Sequence, residues 1–150
     1  MSQTKTVSTA ELLQAVYKNV KMASDGIINL MPRVQDEKLK RDMTVQLSTY
    51  EAFASRAVKL LGREGVKPEE EKLIARVSAK WSAMMNTMMD ATTTHLAEMM
   101  IEGATMGVND MMEQIRKAKD SEVSHEAQNL ARDVCEYEER TIEEMKAYLR

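Results

Sequence analysis

Apolar residues recur at alternating spacings of three and four along most of this chain of 150 residues. Because an α-helix turns once in about 3.6 residues, this spacing places the apolar side chains on one face of a helix. Such stripes follow one another at residues 13–30, 43–61, 74–88, 97–118 and 123–145. Only five Gly and two Pro interrupt them. The pattern therefore predicts an all-α protein, an up-and-down bundle of four to five long helices joined by short turns.

Residues that commonly begin or end helices lie between the stripes. They are Ser8 with Glu11 in a capping-box pattern, Asp36, Gly62 or Gly65, Thr92 or Thr93, and Asp120 or Ser121. Pro32 predicts an end or a kink, and Pro68 predicts the start of a third helix. The spans 68–89 and 92–118 are read either as one kinked helix or as two helices. We expect one domain over residues 1–150, of which residues 1–7 form a disordered tail.

Charge and cysteine usage restrict the kinds of partner and the compartment. The formal net charge is −3 with both signs interleaved, and no basic block predicts a nucleic-acid surface. No apolar run is long enough to span a bilayer, and the first residues lack a secretory signal. Cys135 is the single cysteine, which is typical of a reducing compartment and predicts an inert core thiol. We expect a cytoplasmic protein that binds neither nucleic acid nor membrane.

The first part of the chain resembles the first hairpin of small bacterial ferritin-like proteins, an uncharacterised group with four-helix domains. The resemblance covers residues 12–68 and is carried by Leu12, Tyr17, Gly26, Leu39, Tyr50, Leu61, Gly65 and Pro68. It implies a ferritin-like bundle. It does not by itself imply iron, because one fold hosts many functions.

A dimetal centre in such a bundle needs a Glu from each of two helices and a Glu-x-x-His from each of the other two. This chain has one Glu-x-x-His, from Glu122 to His125, which we expect in the first turn of the last helix. The other histidine stands in reversed order, His95 before Glu98. On the first two helices Glu51 is the best interior candidate. The sequence thus departs from the dimetal pattern, although a single-metal site remains an alternative.

Residues 94–112 contain the most unusual composition of the chain. A polar stripe runs along this segment at spacings of three and four, through His95, Glu98, Glu102, Thr105 and Asn109. We expect it to be the solvated face of the helix. The alternative is a buried cluster that binds iron or another transition metal, with His95, Glu98, Glu102, Glu122 and His125 as ligands.

The same segment is rich in methionine and carries two glycines four residues apart. Nine of the 14 methionines lie between residues 84 and 112. Methionine usually fills cores, adapts to varied partners on surfaces, and can also bind Cu(I). Because each glycine costs about 1 kcal/mol in a helix interior, Gly103 and Gly107 predict a close helix crossing or a break. Met99, Gly103, Met106 and Gly107 are therefore the candidate surface for helix packing or partner binding.

These observations favour a non-enzymatic protein that acts through self-association, as a homo-oligomer such as a dimer, or through partner binding. No phosphate loop, nucleophile elbow or zinc-ligand spacing is present, and no cofactor is expected. The charged run at 136–146, EYEERTIEEMK, is interpreted as a solvated helix face. The alternative function is a ferritin-like protein that binds iron or another transition metal through an incomplete or unusual His/Glu site.

Overall fold

The computed structural model describes residues 7–70, 91–119 and 122–149, which form four packed α-helices. They are α1 (Thr9–Leu30), α2 (Glu37–Arg63), α3 (Thr93–Lys119) and α4 (His125–Lys146), with a 3-10 turn at Met31–Arg33. No strand occurs among the described residues, so the all-α prediction is confirmed. The stripe predicted at residues 74–88 lies outside the described residues.

The sequence identified the starts of α1 and α2 correctly. The Ser8 hydroxyl accepts a hydrogen bond from the Glu11 backbone N–H at 3.1 Å, and the Glu11 carboxylate accepts one from the Ser8 N–H at 3.2 Å. Asp36 caps α2 by accepting from the Leu39 N–H at 2.8 Å. Val7 is buried, which corrects the prediction that it belongs to a disordered tail. It lies just before the cap, where an apolar side chain commonly packs back on the first helical turns.

The other predicted boundaries have mixed outcomes. Gly65 ends α2 with a φ of 71°, a conformation that favours glycine. Thr92 accepts from the His95 N–H at 3.2 Å at the start of α3. The cap of α4 is Ser124, which accepts from the Ala127 N–H at 3.2 Å. The expectation of a cap at 120 or 121 was therefore wrong, because a serine three residues further along could make the same hydrogen bond.

The helices form a ring in the order α1, α2, α4, α3. In the contacts between α2 and α4, residues further along α2 pair with residues nearer the start of α4. Gln46 pairs with Glu144 at 2.9 Å, Arg56 with Asp133 at 3.0 Å, and Arg63 with Glu126 at 2.7 Å. Helices α2 and α4 are therefore antiparallel neighbours.

Contacts at the two ends of the bundle fix the direction of the remaining helices. The Thr94 hydroxyl donates to the Tyr148 carbonyl at 3.2 Å, so α3 begins where α4 ends. The Ser124 N–H donates to the Thr9 hydroxyl at 3.0 Å, so α1 and α4 begin at the same end. The described helices consequently run up, down, down and up. Helices α2 and α3 are parallel across one diagonal of the bundle.

Among the described residues, the interior is apolar apart from five buried polar side chains. The largest fully buried side chains include Leu12, Leu13, Leu39, Met43, Tyr50, Leu96, Met111, Leu130 and Met145. The buried polar residues are Asn19, Ser24, Gln46, Glu138 and Thr141. The Ser24 hydroxyl donates to the Val20 carbonyl of its own helix at 3.0 Å, and the other four meet at one place. None of the described helices combines the length and the apolar character that a membrane span needs.

Candidate ligand-binding site

A cavity of about 350 Å³ lies between the four helices. Its wall is mostly apolar and includes Met22, Ile27, Leu30, Met99 and Ala104. This volume falls in the range of about 300–1,000 Å³ that is typical of sites for small organic molecules. Such sites combine apolar walls with a few placed polar groups, and the buried polar side chains of this cavity come from α1, α2 and α4.

Four buried polar atoms have no hydrogen-bond partner in the part of the chain that the structure describes. They are Asn19 Oδ1, Gln46 Oε1, Glu138 Oε1 and Thr141 Oγ1. All four belong to side chains that line this cavity. A buried polar atom without a partner costs roughly 1–3 kcal/mol, so native proteins leave few of them. Their convergence on one cavity indicates a place where another molecule supplies the missing partners.

Hydrogen bonds inside the bundle fix the orientation of the two amides. Asn19 donates from Nδ2 to the Gly107 carbonyl at 3.0 Å, and Gln46 donates from Nε2 to the Glu144 carboxylate at 2.9 Å. A carbonyl and a carboxylate only accept hydrogen bonds, so the amide nitrogens must face them. Both amides therefore leave their oxygen atoms as acceptors for the cavity.

Glu138 is 2% exposed, which is unusual for a glutamate. Burial, and to a lesser extent the negative charge of Asp110, raises its pKa from 4.5 to about 9. The carboxyl group is therefore protonated and neutral at pH 7. Burial and the Glu138 charge also raise the pKa of Tyr50, whose side chain lines the same cavity.

Gly107 makes room for the carboxyl group of Glu138. A Cβ atom at position 107 would lie 2.2 Å from Glu138 Oε2 and 2.8 Å from Glu138 Cδ. Since real Cβ atoms do not approach other atoms so closely, any larger residue would displace the carboxyl group. The close approach predicted at this glycine exists, but its partner is a buried acid on α4.

The four residues of the predicted packing surface all line the cavity. Met99 is buried, whereas Met106 is 48% exposed at the outer part of the cavity. A Cβ at Gly103 would meet no described atom within 4 Å. Close helix packing at this glycine is therefore not observed among the described residues.

The predicted metal ligands are not brought together. His95 is half-buried near the start of α3, while Glu98 and Glu102 are exposed, as expected for a solvated face. Glu122 precedes α4 and His125 is its first residue, and both are exposed. The expectation that these two share the first turn of a helix was therefore wrong, because the cap lies between them.

The two histidines lie at opposite ends of the bundle. Helix α3 separates them, and its length from position 95 to its end is about 36 Å at the usual rise of 1.5 Å per residue. His95 and His125 therefore cannot bind one ion. Within residues 7–70, 91–119 and 122–149, no group of three or more His, Cys, Asp and Glu side chains could hold a metal ion. Glu51 is exposed and does not contribute to the interior.

Sequence reasoning missed the polar residues of the cavity. Glu138 belongs to the run 136–146 that was interpreted as a solvated face, and this was wrong for that residue. A signal was nevertheless present: Val134, Glu138, Thr141 and Met145 follow each other at spacings of four, three and four. A polar residue on an apolar stripe is expected to be buried with it.

No protein-family model, curated protein or solved structure matches this chain. The functional interpretation therefore depends on the geometry of the cavity.

Proposed function

We propose that this protein binds a small organic molecule, with an apolar body and a polar head, inside its helical bundle. The observation that carries the proposal is the convergence of four unpartnered buried polar atoms on one cavity of about 350 Å³. The apolar wall would contact the body of the ligand. The polar head would satisfy Asn19, Gln46, Glu138 and Thr141.

An inorganic ion fits the cavity less well than an organic molecule. Ca²⁺ takes about six to eight oxygen ligands at roughly 2.3–2.6 Å, and transition metals favour imidazole or thiolate ligands. The part of the cavity lining that the structure describes contains no histidine or cysteine, and Glu138 is its one buried carboxyl group. Binding of iron or another transition metal stays the alternative from the sequence, and the separation of His95 from His125 gives it less support.

We also propose that the bundle is ferritin-like. In the order up, down, down, up of the described helices, α2 ends and α3 begins at opposite ends of the bundle. A single long crossover is a feature of ferritin-like folds, and such bundles build their sites in the core from facing helices. The position of the cavity agrees with that plan. Self-association through α3, expected from its methionines and glycines, stays a prediction.

The test of small-molecule binding uses the neutral, environment-sensitive dye N-phenyl-1-naphthylamine. Wild-type protein should bind the dye at about one molecule per chain, with increased fluorescence. In the variant Ala104→Phe a larger side chain enters the cavity, and we expect the affinity for the dye to fall at least tenfold.

Ala52→Phe is the matched control, because Ala52 is exposed on α2 and does not line the cavity. It should bind the dye as the wild type does. Thermal melts would show that both variants are folded. Equal dye binding by folded Ala104→Phe and wild type, or no binding by the wild type, would overturn the proposal.

A further inference from the structure

We infer that the cavity selects a ligand whose polar head is a primary ammonium group, with Glu138 as its counter-ion and the amide oxygens of Asn19 and Gln46 as further acceptors. This inference rests on the proposed function and names the ligand class of the same site. A long-chain alkylamine is the simplest molecule of that class.

The hydrogen-bonding capacity left in the cavity matches an ammonium group. The amide nitrogens of Asn19 and Gln46 are already used inside the bundle, at 3.0 and 2.9 Å from their partners. Two amide oxygens therefore remain as acceptors, and the Glu138 carboxyl group accepts when ionised and can donate when protonated. An ammonium group carries three donors and no acceptor. A ligand carboxylate or phosphate would instead place its oxygens against the two amide oxygens, which cannot donate to it.

Two of the acceptor side chains, Asn19 and Glu138, lie beside Gly107. Asn19 donates to the carbonyl of this glycine, and the Glu138 carboxyl group lies against the space where its side chain would be. One small head group can therefore reach both side chains. Because position 107 has no side chain, the Glu138 carboxyl group can lie directly beside the backbone to which Asn19 donates.

The charged groups around Glu138 also favour a cation. Helix α1 contributes Lys18 at the outer part of the cavity, and α3 contributes Glu102 and Asp110. Helix α2 presents the neutral Gln46 and Tyr50, and Thr141 is the neighbouring polar residue on α4. No buried Lys or Arg side chain is found among the described residues to serve as an internal counter-ion. A bound cation would supply one.

Proton balance predicts how binding depends on pH. Near pH 7 the Glu138 carboxyl group is protonated, since burial raises its pKa to about 9. An ammonium ligand then binds as Glu138-COOH + R-NH₃⁺ → Glu138-COO⁻···⁺H₃N-R + H⁺. Each binding event releases up to one proton. The dissociation constant should fall by up to about tenfold per pH unit from pH 7 towards pH 9.

The volume of the cavity determines how many non-hydrogen atoms a suitable probe can have. At about 30 Å³ for each water-sized group, 350 Å³ holds about twelve such groups. Decylamine, with eleven non-hydrogen atoms, is a suitable probe. Decanol and decanoate have the same alkyl chain with a neutral and an anionic head.

The test is displacement of N-phenyl-1-naphthylamine by these three compounds at pH 8, below their critical micelle concentrations. Wild-type protein should bind decylamine at least tenfold more tightly than decanol or decanoate. In Glu138→Gln, decylamine and decanol should bind with similar affinities. Glu136→Gln, an exposed change on the same helix, should keep the wild-type preference. Calorimetry in buffers of different ionisation enthalpy should detect the released proton with the wild type at pH 7.

The outcomes separate the two proposals. If decanol or decanoate displaces the dye as well as decylamine does, the ammonium preference is wrong while small-molecule binding stands. The ammonium preference is also wrong if decylamine binding releases no proton at pH 7 and its affinity does not increase at higher pH. If the wild type binds neither the dye nor any of the three compounds, the proposed function itself fails.

Discussion

Glu138 is an acid held in an apolar interior, and its surroundings explain both its ionisation and its position. The carboxyl group has no cationic partner among the described residues, and burial favours its neutral form. Its position depends on the missing side chain of Gly107. The pair formed by these two residues is the most specific feature of the site.

Replacing Glu138 by Gln should make the protein more stable at alkaline pH. The folded-state pKa of about 9 lies above the ordinary value of 4.5, so the folded state binds more protons between these values. Stability of the wild type therefore falls as pH rises from about 5 towards 9. The amide of Gln has nearly the same shape and does not ionise. We expect Glu138→Gln to gain on the order of 3 kcal/mol at pH 8 and little at pH 5.

Urea unfolding of the two proteins between pH 5 and 9 measures this difference. Glu136→Gln serves as the control, because this neighbouring carboxyl group is exposed, and its effect on stability should not depend on pH in the same way. A constant difference between Glu138→Gln and wild type across the pH range would contradict a buried, neutral Glu138.

The polar residues of the site were not predicted, for a reason that is physical. Glutamate is almost never fully buried without a partner, so a run with five glutamates is most simply read as a surface. The position of Glu138 on the apolar stripe of α4 instead indicated that this residue is buried. Gln46, which is 1% exposed between Met43 and Tyr50, is a second case. Periodicity predicts which positions face inward, but it does not predict which side-chain types the cavity tolerates there.

Helix α3 contains two glycines that differ in their surroundings. Gly103 has open space where a side chain would be, whereas a Cβ at Gly107 would collide with Glu138. Alanine favours helix over glycine by about 1 kcal/mol. We therefore expect Gly103→Ala to stabilise the protein by roughly 0.5–1 kcal/mol. Gly107→Ala should be less stable than Gly103→Ala by about 1–2 kcal/mol, because the carboxyl group must move.

Thermal or urea unfolding of the two alanine variants measures this difference. A double-mutant cycle with Glu138→Ala identifies its cause. Once the carboxyl group is removed, Gly107→Ala should gain the helix-propensity benefit that Gly103→Ala already shows. If the cost of Gly107→Ala is unchanged in the Glu138→Ala background, the close approach between Gly107 and Glu138 is not its origin.

The helices themselves were largely predictable, because local chemistry determines where they start. Ser8 and Asp36 have side chains that accept from backbone N–H groups of the first turn, and the Glu three residues after Ser8 completes a recognisable capping box. Before α4, several candidate caps lie within five residues, and local sequence does not distinguish Ser124 from the others. The additional contact of the Ser124 N–H with Thr9 is a tertiary interaction that no local pattern contains.

At the scale of the whole molecule, the ring order of the helices can be tested by distance measurements. Spin labels at positions 95 and 125, in a background without Cys135, should be about 35 Å apart, because α3 separates them. Labels at positions 56 and 133 should be close, since Arg56 and Asp133 form an ion pair at 3.0 Å. Double electron–electron resonance measures the first distance, and line broadening measures the second.

The labels at positions 56 and 133 are the control, because they report the antiparallel contact of α2 with α4. The labels at positions 95 and 125 test the direction of α3. A short distance between positions 95 and 125 would contradict the order up, down, down, up. It would also restore the possibility that the two histidines share a metal ion. The sequence predicted an up-and-down bundle, but amphipathic stripes do not specify which helices are neighbours.

The cavity takes its polar groups from both halves of the chain. Asn19 and Gln46 belong to the hairpin of α1 and α2, whereas Glu138 and Thr141 belong to the hairpin of α3 and α4. A molecule bound there would contact both hairpins. Its binding energy would therefore stabilise the association of the two hairpins rather than either hairpin alone. A higher ligand concentration would then make separation of the two hairpins rarer, because a ligand that binds only the folded bundle stabilises it.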